Sequence, residues 1–219
     1  MTHPYSDLGG TAFWRSGVAE ADPAAPVDLY RPKFALGRDA AIATAGSCFA
    51  QHVGRALRGA GLRVRDAEPA PSGCPQEVAR AYGYGIYSAR YGNIYTVRQL
   101  VQLIGDAVTG RTDPADIWAH EGRFYDALRP TIEPGGFTSA GEALALRCAH
   151  LRAVQGLFTR TSCLIFTLGL TECWADRESG RVYPTCPGVV AGQFDAGRHV
   201  LLNLRHAEVL ADLEAARNM

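Results

Sequence analysis

Ser47 is the residue of this chain whose sequence context best suits a nucleophile. It follows a short apolar run, residues 41–45, and precedes a segment whose apolar side chains recur at helical spacing. A serine there lies where free backbone N–H groups and the helix dipole favour negative charge, so it could attack a carbonyl. The alternative is that Ser47 is an ordinary N-cap. Cys48 is a competing nucleophile, but one residue deeper in the helix its side chain is expected to turn toward the sheet.

Two further turns contain residues that could assist Ser47. Gly92 and Asn93 precede a predicted helix, and a neutral amide donor suits an oxyanion hole, although a turn-forming Gly-Asn pair is an equally simple interpretation. The turn 169–172 follows the most apolar run of the chain, residues 163–168. Because turns after parallel strands emerge at one edge of a sheet, we expect these turns and Ser47 to share one small-molecule pocket.

The histidines offer no convincing general base. His52 lies on the same predicted helix as Ser47 but points away from its N-terminus. His199 is a possible base, but it lies in a predicted loop. The remaining histidines have no partner that the sequence assigns. No Ser-His-Asp triad is therefore complete in the sequence.

Composition excludes several classes of function. The 219 residues, 47% of them hydrophobic, suffice for one sizeable core. The 22 basic and 22 acidic side chains cancel and form no basic tract, so neither nucleic acid nor membrane is expected as a partner. The six cysteines contain no C-x-x-C pair, so no zinc site is expected, and a chain of this size needs no disulfide framework. No cofactor is expected. No apolar signal segment begins the chain, so a cytoplasmic location is expected.

The order of elements predicts an α/β fold. Residues 1–35 are punctuated by prolines and lack apolar periodicity, so we expect an irregular arm followed by one domain over 36–219. No strand follows the last predicted helix, 205–218, although an α/β sheet would normally receive one. The domain is therefore expected to be cut short at its C-terminus.

Three apolar segments are expected to form one parallel sheet, with helices 48–58 and 141–159 packed on it. The segments are 41–45, 62–65 and 163–168, and the last is predicted to be a central strand. Thr96 and Ser139 are predicted to cap helices. Residues 169–200 are predicted to be mostly loop.

Four segments in order resemble the GSCFA family, and the resemblance spans roughly residues 10–219. They are residues 46–50 (Gly-Ser-Cys-Phe-Ala), 90–96 (Arg-Tyr-Gly-Asn-Ile-Tyr-Thr), 166–174 (Phe-Thr-Leu-Gly-Leu-Thr-Glu-Cys-Trp) and 184–188 (Pro-Thr-Cys-Pro-Gly). The family is similar to SGNH hydrolases. The resemblance therefore implies a three-layer, flavodoxin-like fold with a mainly parallel sheet.

The same resemblance implies roles for individual residues. Ser47 takes the place of the nucleophile, and Gly92 or Asn93 that of an oxyanion donor. Gly169 and Glu172 belong to the block that meets the substrate, and Thr171 stands where the related enzymes have an oxyanion asparagine. The late segment that supplies the histidine base does not occur in this sequence, so the chain is expected to lack its base.

The implied activity is that of a serine esterase or O-acyltransferase. It would act on an ester-linked acyl group through an acyl-serine at Ser47, with small-molecule or carbohydrate esters as substrates. Water or a sugar hydroxyl would accept the acyl group. The alternative, motivated by Thr171, is a non-catalytic ligand- or carbohydrate-binding module that retains the fold.

Overall fold

The computed structural model describes residues 3–24, 29 and 32–219, and the chain divides into two compact units. The first unit, Met1–Gly37, contains a 3-10 turn at Gly10–Ala12 and a π-helical turn at Arg15–Ala19. Parts of the predicted arm, residues 1–2, 25–28 and 30–31, lie outside the described residues. The second unit, Arg38–Met219, carries all the elements discussed below.

A small parallel sheet lies at the centre of the second unit. Strand β1 (Ile42–Gly46) pairs in parallel with β4 (Cys163–Thr167). On its other side β1 forms a single parallel bridge from Ile42 to Val64. The three predicted segments therefore do lie side by side, although the second forms one bridge in place of a strand.

The prediction that β4 is a central strand is wrong. All five of its residues are only half-buried, whereas all five of β1 are buried. Among the described residues β4 pairs with β1 alone, so β1 is the inner strand. A continuous apolar run indicates that a strand can be buried, but it does not indicate which strands lie beside it in the sheet.

The second unit contains five helices. They are α1 (Cys48–Gly59), α2 (Gln76–Ala81), α3 (Val97–Thr109), α4 (Ala140–Phe158) and α5 (His206–Asn218). Of these, α1 packs against both strands of the parallel sheet. The two predicted caps are confirmed. The Thr96 hydroxyl accepts from the backbone N–H of Gln99 at the start of α3, and the Ser139 hydroxyl accepts from that of Glu142 at the start of α4. The main core joins side chains of α3 and α4 to the alanines of β1.

Two antiparallel sheets complete the second unit. Strands β2 (Ile117–His120) and β3 (Arg123–Asp126) form a hairpin. Strand β5 (Glu172–Asp176) lies between β6 (Val182–Tyr183) and β7 (His199–Asn203). The prediction of mostly loop over residues 169–200 is confirmed, since only β5, β6 and the first two residues of β7 are strand within that range. These short strands, separated by glycine and proline, give little local signal and were not predicted.

The architecture is thus mixed α/β, with a small parallel sheet and helices. The three-layer, mainly parallel arrangement stays a prediction, since the two further sheets are antiparallel. No helix within the described ranges has both the length and the apolar character needed to span a membrane.

A buried network of ion pairs holds the sheets and helices together. Arg181, just before β6, contacts Asp106 on α3 at 2.8 Å and Asp116 before β2 at 2.6 Å. Arg147 on α4 also reaches Asp106, at 3.0 Å, and all four of these side chains are buried. Because their partners lie on different elements, the charges fix how those elements pack, and removing one would leave others unpaired.

Candidate active site

Gly46 makes the sharp junction between β1 and α1. Its φ angle is 140°, a region that side chains of L-residues rarely adopt. A Cβ atom built on Gly46 would lie 2.1 Å from the hydroxyl oxygen of Thr167 on β4, and 3.0 Å from the Thr167 backbone nitrogen and oxygen. Only glycine fits here, and it allows the chain to turn directly from the strand end into the helix that begins at Cys48.

Ser47 occupies the N-cap position of α1, but its side chain does not cap the helix. The residue is extended, with φ −74° and ψ −175°, and its hydroxyl makes no capping hydrogen bond. The backbone carbonyl accepts instead, from the Ala50 N–H at 2.9 Å, and the Tyr87 hydroxyl oxygen lies 3.2 Å from the same carbonyl oxygen. Ser47 is half-buried. Its Oγ atom is therefore left without a hydrogen bond to the described residues and partly open to a ligand.

Cys48 does not turn toward the sheet, contrary to the sequence interpretation. The thiol is exposed, and so is the neighbouring Phe49, at 63%. The buried residues of α1 are Ala50 and Gly54. These face the sheet one helical turn apart, and Cys48 lies about 200° around the helix from Ala50. The small residues at positions 50 and 54, not the larger apolar ones, decide which face packs inward.

The segment 92–95 runs alongside the end of β1. The Ile94 N–H donates to the Gly46 carbonyl at 2.9 Å, and the Leu170 N–H donates to the Tyr95 carbonyl at 2.9 Å. Gly92 has φ 67°, which suits a turn glycine. The backbone thereby brings residues near the strand end, residues before α3 and residues after β4 together.

The Asn93 amide is oriented by two tyrosines. Its oxygen accepts a short hydrogen bond from the Tyr87 hydroxyl, and its nitrogen donates to the Tyr95 hydroxyl at 3.0 Å. The Tyr87 hydroxyl also accepts from the Gln51 amide at 3.1 Å. Burial raises the pKa of Tyr87 to about 12, so its hydroxyl keeps its proton. One N–H of the Asn93 amide has no partner among the described residues.

Gly169 approaches Ser47 directly. A Cβ atom on Gly169 would lie 3.2 Å from the Tyr95 carbonyl oxygen, 3.3 Å from the Ser47 Cβ and 3.6 Å from the Ser47 Oγ. Any side chain at this position would therefore crowd the serine. The sequence-predicted contact between the turn after β4 and Ser47 exists at Gly169.

Thr171 and Glu172 are engaged elsewhere. The Thr171 hydroxyl is hydrogen-bonded to the Asn203 side chain at 2.8 Å, and it also contacts the Glu172 carboxylate at 3.3 Å. Both residues are exposed, and Glu172 begins β5. The oxyanion role of Thr171 stays a prediction, and its hydroxyl already has a partner.

Gly92, Asn93 and Glu172 are divided among several neighbouring cavities, not the single pocket that the sequence predicts, and Ser47, Gly169 and Thr171 line none of these cavities. Gly92 and Asn93 line a cavity of about 160 Å³ together with Tyr87. Asn93 and Tyr95 line a second one of about 210 Å³. A third cavity, of about 510 Å³, contains Tyr95 and Glu172. Asn93 is shared by the first two and Tyr95 by the last two, so the three cavities follow the segment that borders Ser47.

No hydrogen bond within residues 38–219 joins Ser47 to a histidine. His52 is exposed on α1. His199 is buried at the start of β7, opposite Asp176 at the far end of β5. At the rise of a strand, that is about 13 Å along β5 from Glu172. His199 is therefore in a strand, not a loop, and at the end of the sheet away from the Ser47 turn.

His150 is the other buried histidine. Its Nδ1 atom lies 2.7 Å from the Glu68 carboxylate, and its Nε2 atom has no hydrogen-bond partner. Burial, together with the nearby charge of Arg129, lowers the pKa of His150 from 6.5 to about 4. Burial acts to raise the pKa of Glu68, but the hydrogen bond from His150, the nearby charge of Arg129 and the hydrogen bond from the Arg90 backbone together outweigh it, so the pKa of Glu68 is lowered. The pair is therefore a neutral imidazole donating to a carboxylate.

Sequence reasoning missed Tyr87, Tyr95 and Gln51 as parts of this site. The one feature of the sequence that could have pointed to them is the cluster of tyrosines between residues 82 and 95, but its spacing matches neither a helix nor a strand. Among the described residues, no group of three or more histidine, cysteine or acidic side chains is arranged to hold a metal ion. The arrangement around Ser47 consists of a free hydroxyl, a helix N-terminus, an oriented amide and close-packed glycines.

The sequence model of the GSCFA family matches residues 41–219 of the chain. That range contains Ser47, the segment 92–95 and the turn 169–172. No curated protein and no solved structure matches the chain significantly.

Proposed function

Because the chain belongs to the GSCFA family, whose motif contains the serine at the strand–helix junction, we propose that it is a serine-dependent esterase or O-acyltransferase. The acyl group of an ester substrate would be carried on Ser47. Water would then accept it in hydrolysis, or a hydroxyl group of a sugar in transfer.

The unengaged Ser47 hydroxyl is the observation that carries this proposal. An N-cap serine ordinarily accepts a hydrogen bond from the second or third N–H of its helix. Here the carbonyl of Ser47 takes that role toward Ala50, and the Oγ atom has no described partner. A hydroxyl kept free at a helix N-terminus beside Gly169 supports the proposal that Ser47 acts as a nucleophile.

The proposed first step moves the acyl group from the substrate to the protein. The Ser47 oxygen bonds to the carbonyl carbon, its proton passes to a base, and the alcohol departs after it has been protonated. Negative charge develops on the carbonyl oxygen in between. The Ser47 backbone N–H and the remaining N–H of Asn93 are the proposed donors to it, while Thr171 is left out because its hydroxyl already bonds Asn203.

The cavity of about 510 Å³ supports an ester of moderate size as the substrate. Its wall combines aromatic rings with a carboxylate and an amide, as small-molecule sites usually do. Tyr95, Trp174 and Tyr183 supply the rings, and Gln99 and Glu172 the polar groups. Flat aromatic faces of this kind pack against sugar rings, so acylated carbohydrates are the favoured substrates.

Labelling with a fluorophosphonate probe tests the nucleophile. The Ser47 oxygen would displace fluoride from phosphorus and lose its proton to a base. No histidine is hydrogen-bonded to Ser47 within residues 38–219, so labelling is expected to be slow and to accelerate when imidazole is added as an external base. Mass spectrometry would locate the adduct.

Three variants make the result specific. Labelling should disappear in Ser47→Ala and persist in Cys48→Ala, whose exposed thiol is the adjacent competitor. It should also persist in Ser162→Ala, a matched exposed serine just before β4. Equal labelling of the protein and of Ser47→Ala would contradict the proposal.

A binding module without chemistry is the second candidate, favoured by the engagement of Thr171 with Asn203. It predicts that acetylated oligosaccharides bind in the aromatic cavity and are recovered unchanged. Absence of labelling with or without imidazole, together with such binding, would replace the first proposal by the second. Trp174→Ala should then weaken the binding.

A further inference from the structure

A cavity of about 500 Å³ lies between α1 and the segment 66–86, which includes α2. It receives side chains from three successive turns of α1, namely Gln51, Arg55 and Arg58. Their spacing, four residues and then three, puts them on one face of the helix. The opposite wall includes Arg80 of α2. The polar face of α1 is thus the wall of a concave space.

The cavity is strongly cationic. Three guanidinium groups face it against one carboxylate, that of Asp66. Within residues 38–219 none of the three arginines forms an ion pair or donates a side-chain hydrogen bond, and all three are exposed. Arg147 and Arg181 in the same unit differ from these three arginines, because they are buried and paired with aspartates.

Unpaired guanidinium groups around one cavity suit an oxyanion. Arginine presents a fixed fork of N–H donors that matches the geometry of phosphate and carboxylate groups, and such bonds are stronger than neutral ones. Charges of one sign within a cavity also raise the local concentration of an oppositely charged ligand. Three guanidinium groups around one cavity repel one another, and the single carboxylate of Asp66 offsets only part of that repulsion.

This cavity adjoins the Ser47 site. It shares Gln51, Arg80 and Ile86 with the cavity of about 160 Å³ that is lined by Asn93 and Tyr87. Arg55 and Arg58 lie eight and eleven residues after Ser47 along the chain. At the rise of an α-helix, that is roughly 12 and 17 Å from the serine. An anion held by the arginines would therefore belong to a part of the substrate at a distance from an ester at Ser47.

We propose that Arg55, Arg58 and Arg80 form a binding site for an anionic group, a phosphate or a carboxylate, of the substrate. Its link to an ester at Ser47 rests on the proposed function, whereas the binding of the anion itself does not. The substrates favoured by this arrangement are acylated sugars that carry an acidic group.

Calorimetric titration with glucose 6-phosphate, glucuronate and glucose tests the site and distinguishes the two sources of anion. At least one of the two anionic sugars should bind, and glucose should bind more weakly than that sugar by about tenfold or more. Raising the salt concentration should weaken the binding because exposed charges are screened. Equal binding of all three sugars, or none of any, would overturn the inference.

The double variant Arg55→Gln/Arg80→Gln should lose about tenfold or more of the affinity for the anion, while Arg217→Gln, a matched exposed arginine of α5, should keep it. Equal losses in both would show non-specific attraction and contradict the proposed site. Circular dichroism checks that the variants fold. Fluorophosphonate labelling of Ser47 is measured in parallel on the protein without substitutions. Failed labelling with intact anion binding would refute only the esterase proposal, and failed anion binding with intact labelling only this one.

Discussion

Replacing Gly46 by alanine should strongly destabilise the protein, because two separate penalties meet at this residue. The backbone has φ 140°, and a Cβ atom would lie 2.1 Å from the Thr167 hydroxyl oxygen. Such a separation is impossible for real atoms, so β1 and β4 must separate or Thr167 must rotate. Threonine is β-branched and Thr167 pairs with Gly46 in the sheet, so little rotation is available.

The size of the effect follows from these two terms. A residue held in a sparsely populated backbone region costs about 1–3 kcal/mol. Forcing an extra methyl group into a packed site costs about 1–3 kcal/mol more. The sum, about 2–6 kcal/mol, is a large part of the roughly 5–15 kcal/mol by which a typical domain is stable.

A double-mutant cycle with Thr167→Ala separates the two terms. Removing the Thr167 hydroxyl eliminates the closest contact but leaves the backbone angle and the two backbone contacts at 3.0 Å. The Gly46→Ala/Thr167→Ala variant should therefore recover about 1–3 kcal/mol relative to the sum of the single variants.

Urea unfolding followed by tryptophan fluorescence measures all four proteins. Fluorophosphonate labelling in the folded variants would also show whether the movement of the strand end disturbs Ser47. The reasoning is refuted if Gly46→Ala loses less than about 1 kcal/mol of unfolding free energy, or if the two substitutions are additive.

Three further outcomes are expected, each measured as a change in the free energy of unfolding. Acidification from about pH 7 to about pH 5 should lower the free energy of unfolding by about 2 kcal/mol. The reason is that His150 binds a proton at its ordinary pKa of 6.5 in the unfolded chain, whereas in the folded protein its pKa is about 4. If the free energy of unfolding of His150→Gln fell equally over this pH range, the prediction would be contradicted. Arg181→Met should cost about 3–5 kcal/mol, because it leaves the buried Asp116 unpaired and Asp106 with Arg147 as its one partner, while the control Arg98→Met, from a half-exposed pair, should cost less than about 1 kcal/mol; equal losses would argue against the buried network. Thr44→Val should stabilise the protein by about 1 kcal/mol, because the buried Thr44 hydroxyl has no hydrogen-bond partner among the described residues. Thr96→Val should destabilise it by about 1 kcal/mol, because it removes the hydroxyl that caps α3. A loss of stability in Thr44→Val would indicate that its hydroxyl has a partner.

The sequence could predict the features whose causes are local. The helix caps at Thr96 and Ser139 depend on a side chain and an N–H three residues later, so they can be recognised within a few positions. The junction at Gly46 and Ser47 is similarly visible as an apolar run, a glycine and a helical pattern. The order of the GSCFA segments, confirmed as a family match over residues 41–219, carried the remaining information about the site.

Other features could not be predicted because they depend on which surfaces meet. The apolar run of β4 is compatible with an inner or an outer strand, and packing left it at the edge beside β1. Cys48 became exposed because the small residues Ala50 and Gly54 allow closer approach to the sheet. In both cases the local pattern permits two arrangements, and the burial available in the whole fold selects one.

The sequence by itself therefore determined which groups are available for function: a serine at a strand–helix junction, glycine turns and helices with defined beginnings. Only the tertiary structure decided how these groups are used. It left the Ser47 hydroxyl free, oriented Asn93 through Tyr87, and placed Arg55 and Arg80 around one cavity. Hydrogen bonds, ion pairs and cavities join residues tens of positions apart, and their free energy depends on partners and burial that no short stretch of sequence encodes.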